Sequence, residues 1–163
     1  MKNILKLSLA AVAISALAAC GGGGSEDPAD KYVGTWLGKC SSYTGSDGAT
    51  YYRKLKRVLT KINAGQLTGK STQEGAYSDS ACSKSVSSAV ITFSGGTQYN
   101  IGKTVTILGA EASEIASIDL GTNAALPGYM TVSNGQWYIA TYDPSKGETT
   151  ITGWSSNSPY TKQ

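Results

Sequence analysis

Short segments rich in Thr, Val, Ile and Tyr fill the chain from Lys31 onward, and Gly, Asn, Asp or Pro interrupts them about every eight to twelve residues. This spacing is typical of an all-β sandwich or barrel, because each segment is long enough for a strand and each interruption suits a turn. No internal repeat of roughly 20–50 residues is present. The pattern therefore predicts one all-β domain over residues 31–163, a single antiparallel meander barrel of about 8–10 strands.

The clearest strand pair covers residues 128–142, where Asn134-Gly135 is the preferred dipeptide for a two-residue type I′ turn. This turn fixes the register, so Val132 lies opposite Trp137 and their shared face is predicted to be core.

A second hairpin is predicted to turn at Gly95-Gly96, with Thr92 opposite Tyr99. The segment Glu111–Ile115 is predicted to form one helical turn. Further strands are expected at about 32–38, 50–62, 66–72, 103–109, 115–120 and 148–154.

The first 19 residues form a different kind of segment, with Lys2 and Lys6 followed by an apolar run that begins at Leu7. These features are typical of a secretory signal peptide, and the run is too short to cross a bilayer comfortably. We therefore expect residues 1–19 to be removed on export.

Leu17-Ala18-Ala19-Cys20 resembles the lipobox of bacterial lipoproteins. The resemblance implies cleavage before Cys20 and attachment of acyl chains such as palmitate to its thiol and amino terminus, which anchors the protein to a membrane. The alternative is an ordinary secreted protein with Cys20 as a spare thiol. Residues 20–30 form a Gly-rich, acidic spacer. Since Gly21 replaces the Asp that signals inner-membrane retention in lipoproteins of bacteria with two membranes, we expect the outer membrane.

Two further cysteines, Cys40 and Cys82, lie within the predicted domain. An even pair in an exported domain predicts one disulfide bond, and two free buried thiols are the alternative. No metal site is expected, because the chain has no His and no Cys-x-x-Cys spacing.

Basic residues concentrate in the first half of the domain, most densely at Arg53, Lys54, Lys56 and Arg57. One interpretation is a basic patch for anionic headgroups, lipopolysaccharide, polysaccharide or nucleic acid. The other, which we favour, is an exposed edge strand whose charges prevent edge-to-edge pairing. Because Lys2 and Lys6 leave with the signal peptide, the mature chain is nearly neutral overall, and we expect no nucleic-acid partner.

Gly34-Thr35-Trp36 on the first predicted strand resembles the opening motif of lipocalins and related calycin barrels. The resemblance implies an eight-stranded barrel in which Trp36 closes one end and Gly34 allows close backbone approach. Lipocalins usually place an Arg from the last strand over this Trp, whereas the only arginines here are Arg53 and Arg57.

The absence of His removes the commonest general base near neutral pH. Glu111 and Glu114 are a candidate acid and base pair, but we interpret them as a solvated turn. We therefore expect no catalysis and no cofactor. Four aromatic residues are candidates for lining a ligand cavity or for plain core packing: Tyr99, Trp137, Tyr138 and Tyr142.

Together these features predict a monomeric, lipid-anchored lipoprotein of the bacterial envelope. We expect it to bind a small amphipathic ligand or an envelope protein or glycan. The alternative is a structural or assembly lipoprotein of the outer membrane without an internal ligand.

Overall fold

A computed structural model describes residues 27–142 and 151–163 of the chain. One turn of 3-10 helix, Asp30–Tyr32, precedes ten β-strands. The strands are β1 (Gly34–Gly38), β2 (Ser41–Thr44), β3 (Thr50–Asn63), β4 (Gln66–Tyr77), β5 (Ser85–Thr92), β6 (Thr97–Ile107), β7 (Ala110–Asp119), β8 (Ala125–Ser133), β9 (Gln136–Thr141) and β10 (Tyr160–Lys162).

Eight of these strands close into an antiparallel barrel in the order β3-β1-β10-β9-β8-β7-β6-β4, and β4 pairs back onto β3. Neighbours in the barrel follow one another along the chain once β2 and β5 are set aside, which is an up-and-down meander. The all-β class and the antiparallel barrel are thus confirmed.

The two additional strands flank a hairpin that is longer than the barrel wall. β2 pairs with the first residues of β3, and β5 pairs with the second half of β4. These four strands form an extension beyond one end of the barrel. We call that end the mouth and the opposite end the closed end.

The Asn134-Gly135 hairpin has the predicted register, with Val132 opposite Trp137. Asn134 and Gly135 have φ values of 51° and 71°, as a type I′ turn requires. The local dipeptide is therefore sufficient to define this pair of strands.

The predicted hairpin at Gly95-Gly96 is wrong. β5 and β6 both pair with β4, at 72–77 and 66–69 respectively. Gly95 and Gly96 have φ values of 93° and 83°. They bend the chain between β5 and β6 without reversing it, so both strands run antiparallel to β4. A Cβ on Gly96 would lie 2.9 Å from the carbonyl oxygen of Gly69, so this close approach also requires glycine.

Two smaller predictions also fail. Glu111–Ile115 lies in strand β7 and not in a helical turn, because it pairs with β6 and β8 on both sides. Residues 148–150 lie outside the described residues, and residues 151–154 are not in a strand. The last strand is β10 instead, at Tyr160–Lys162.

Large buried side chains fill the closed end. Trp36 and Trp137 are 1% and 0% exposed, with ring centroids 6.1 Å apart. The Tyr32 hydroxyl contacts Ser113 Oγ at 3.0 Å and donates to the Met130 carbonyl at 2.9 Å, while Trp36 Nε1 donates to the Tyr32 carbonyl at 2.7 Å. These bonds fix the 3-10 helix beneath the barrel, so no open cavity is expected at this end.

The residues of the lipocalin-like motif lie at the closed end as well. The Nζ of Lys162, on the last strand, lies 5.5 Å from the centre of a Trp36 ring. Gly34 has a φ of 141°, and a Cβ there would lie 2.8 Å from Lys162 Cε. A lysine on β10 thus covers this tryptophan. In the described ranges no helix is long and apolar enough to cross a membrane.

Candidate binding site at the barrel mouth

The four basic residues of β3 divide between its two faces, because side chains alternate along a strand. Arg53 and Arg57 point into the barrel together with buried Leu55. Lys54 and Lys56 point outward, where Lys56 Nζ pairs with Glu74 Oε1 at 2.9 Å. β3 is also paired along both sides. The edge-strand interpretation is therefore wrong, and the four cations do not form one surface patch.

Arg57 lies above the aromatic core. Its Nη1 donates to the Tyr99 hydroxyl at 2.9 Å, and its guanidinium carbon lies 5.7 Å from the Trp137 ring and 5.4 Å from the Tyr160 ring. These distances allow cation–π attraction. Burial opposes the charge, but the tyrosine contacts outweigh burial and raise the Arg57 pKa, so the guanidinium remains protonated.

Arg53 lies nearer the mouth, and its Cα is about 13 Å along the strand from the Cα of Arg57. Its Nη1 donates to Gln73 Oε1 at 3.2 Å. The guanidinium carbon lies 4.8 Å from the centre of the Tyr43 ring and 5.8 Å from that of Phe93. The extension thus positions this second cation, since Tyr43 lies on β2 and Phe93 follows β5.

Neither arginine forms an ion pair with any residue of the described ranges. The Nε atoms of both are buried and have no hydrogen-bond partner among those residues. Asp119 lies in the same wall, but its Oδ1 accepts hydrogen bonds from the amides of Gly121 and Thr122 at 2.9 and 2.8 Å. These bonds lower the Asp119 pKa and hold the carboxylate in its own turn.

A cavity of about 480 Å³ opens at the mouth, and we call it the mouth cavity. Its size falls in the range of small-ligand sites, about 300–1,000 Å³. A smaller cavity of about 120 Å³ adjoins it, and Arg57 and Thr97 line both. The mouth cavity is lined by Arg53, Leu55, Arg57, Ser71, Phe93, Ser94, Gly96, Thr97, Asp119 and Asn157.

The four candidate aromatic residues separate into two pairs. Tyr99 and Trp137 are buried inside the barrel, and Tyr99 lines the smaller cavity. Tyr138 faces outward, with its ring centroid 5.8 Å from that of Trp154. Tyr142 lines a separate groove beside Glu114 and outside the mouth cavity. The structure therefore brings Tyr99 and Trp137, but not Tyr138 and Tyr142, to Arg57.

The Cys40–Cys82 disulfide bond is present, with a Cα–Cα distance of 5.8 Å. Cys40 joins β1 to β2, and Cys82 lies in the loop from β4 to β5. The bond therefore ties together the two outer strands of the extension. The lipobox, Cys20 and residues 1–26 lie outside the described residues.

Several lining residues were not predicted, among them Phe93, Thr97 and Asn157. Phe93 and Thr97 flank the misassigned Gly95-Gly96 turn, and Asn157 follows the last region for which a strand was expected. One available signal was the alternation of Arg53, Leu55, Arg57 and Leu59, which places both arginines on the apolar face of β3.

The arrangement suits binding of an anion more than acid–base chemistry, because its charged donors are guanidinium groups. Glu111 and Glu114 are three residues apart on β7 and so point to opposite faces. Over the described ranges, no group of three or more potential Cys, Asp or Glu ligands could hold a metal ion. Comparisons with models of protein families, with curated proteins and with solved structures found no match.

Proposed function

We propose that this protein is a non-catalytic binding protein of the bacterial envelope that takes a small amphipathic ligand into its barrel. One observation carries the proposal: a cavity of about 480 Å³ opens at the mouth above a filled aromatic core. Leu55 and Phe93 offer it apolar contacts, while the arginines, Ser71 and Thr97 offer polar ones. Such a mixture is typical of small-molecule sites.

The cellular location belongs to the same proposal. The leader and the Leu17-Ala18-Ala19-Cys20 sequence support a lipid anchor at Cys20, and the Gly-rich spacer would hold the barrel off the bilayer. Gly21 supports delivery to the outer membrane. The protein would thus capture its ligand beside a membrane surface.

A cavity-filling variant tests the ligand site. The neutral dye N-phenyl-1-naphthylamine is titrated into the chain carrying Cys20→Ser, which keeps the protein free of lipid. Ser71 lines the mouth cavity, whereas Lys70 is exposed on the opposite face of β4. We expect Ser71→Trp to abolish the fluorescence increase and Lys70→Trp to retain it. Equal dye binding by both variants would reject the mouth cavity as the ligand site. A parent protein that binds neither this dye nor its anionic analogue 8-anilino-1-naphthalenesulfonate would also reject it.

A different face supports the second candidate, an assembly lipoprotein without an internal ligand. β5 pairs only with β4 among the described strands, and all eight of its residues are exposed. Val86, Val90 and Ile91 are 54%, 59% and 49% exposed, and no charged residue protects this edge. Crosslinking of the parent protein into larger assemblies, together with absent dye binding, would favour this candidate.

A further inference from the structure

We propose that the mouth cavity selects small organic anions, whose carboxylate, sulfonate or phosphate group is held by Arg53 and Arg57. This inference rests on the proposed function and specifies the chemical class of its ligand. Arginine suits such groups, since its planar fork of donors matches two oxygens of one oxyanion.

The first argument is the state of the two guanidinium groups. A buried charge is costly unless it is paired, and buried donors in folded proteins are normally hydrogen-bonded. Here both Nε atoms are buried without a partner, and neither side chain forms an ion pair in the described part of the chain. An incoming oxyanion would supply both the missing charge and the missing acceptor.

The second argument is the geometry around Arg57. Trp137 and Tyr160 lie against the guanidinium, and Tyr99 takes one of its donors. The two cavities that share Arg57 leave space beside it for a ligand. The aromatic contacts restrict how the side chain can move, which preorganises the cation for binding.

The third argument is the position of Arg53 relative to the apolar lining. Leu55 lies between the two arginines on the inward face, and Phe93 lies against Arg53. A ligand with an apolar body could therefore contact Leu55 and Phe93 while its anionic group reaches a guanidinium. Asp119 is the acidic residue of this lining, and its turn already occupies Oδ1. The positive charges thus exceed the negative ones at the site.

The experiment compares two probes of similar shape and different charge in the Cys20→Ser chain. The anionic probe is 8-anilino-1-naphthalenesulfonate, and the neutral probe is N-phenyl-1-naphthylamine. We expect Arg57→Gln to weaken binding of the anionic probe about tenfold or more, because a charged hydrogen bond is lost. Binding of the neutral probe should change by less than about threefold. Arg57→Lys should restore part of the anionic affinity, since it keeps the charge but not the fork.

Lys54→Gln is the matched control, because it removes the same charge from the same strand on the outward face. It should leave both affinities within about twofold. If Arg57→Gln does not fold, Arg53→Gln provides the same test nearer the mouth, with folding checked by circular dichroism.

The outcomes separate the two proposals. Unchanged anionic affinity in the arginine variants, or equal loss for both probes, would overturn the anion inference. Binding of the neutral probe alone would also overturn it while leaving the proposed function in place. If the parent protein binds neither probe, both proposals fail.

Discussion

Replacing both Cys40 and Cys82 by Ala should destabilise the barrel by about 4 kcal/mol. The two residues are 42 positions apart, and the loss of chain entropy on closing a loop of that length gives this figure. A domain of about 130 residues has an unfolding entropy of roughly 0.27 kcal/mol/K, so the melting temperature should fall by about 15 °C. The extension should lose order first, because the bond joins the ends of β2 and β5.

Urea unfolding of the Cys20→Ser chain, with and without Cys40→Ala and Cys82→Ala, measures this difference. Dithiothreitol should lower the stability of the parent protein by a similar amount and should not affect the double variant. A loss below about 1 kcal/mol, or equal sensitivity of both proteins to the reductant, would refute the reasoning. The extension would then be held by its hydrogen bonds and not by the disulfide bond.

Two further predictions concern the closed end and the anchor. Burial raises the pKa of Tyr32 from 10 to about 12. The stabilisation of the fold by the neutral Tyr32 hydroxyl is therefore complete below pH 10 and is lost as the pH rises through 12. Urea unfolding between pH 8 and 12 should therefore show a shallower alkaline loss for Tyr32→Phe, and identical slopes would contradict this assignment. Cys20→Ser should release the protein from membranes into the soluble fraction during cell fractionation, whereas continued membrane association would refute the lipid anchor.

The local sequence was sufficient to predict the structure where one short element determines its own backbone geometry. Asn134-Gly135 favours positive φ at both turn positions, and that preference alone defines the register of β8 and β9. The barrel class also followed from the spacing of turns, because alternation and strand length depend on neighbouring residues.

At Gly95-Gly96 the local sequence does not determine the structure. A glycine pair serves a tight hairpin and a sharp bend equally well, and the choice depends on which strand is available for pairing. The length of β4 decides it, because β4 extends far enough to pair with both β5 and β6. That information lies in tertiary contacts and not in the dipeptide.

Only part of the candidate site could be predicted from the sequence, for a similar reason. The cluster from Arg53 to Arg57 was visible as a charge excess, but charge alone does not tell which face of a strand is buried. The alternation of these arginines with Leu55 and Leu59 carries that signal, but the edge-strand interpretation did not use it. The partners from distant strands, such as Tyr99 and Phe93, required the closed barrel.

The central claim is that the two inward arginines hold the anionic group of a ligand in the mouth cavity. Because Arg53 and Arg57 are the only arginines in the sequence, ¹⁵N NMR of the labelled Cys20→Ser chain should show two arginine Nε–Hε signals. We predict that 8-anilino-1-naphthalenesulfonate shifts both signals in a saturable manner. Saturable binding that moves neither signal would contradict the account.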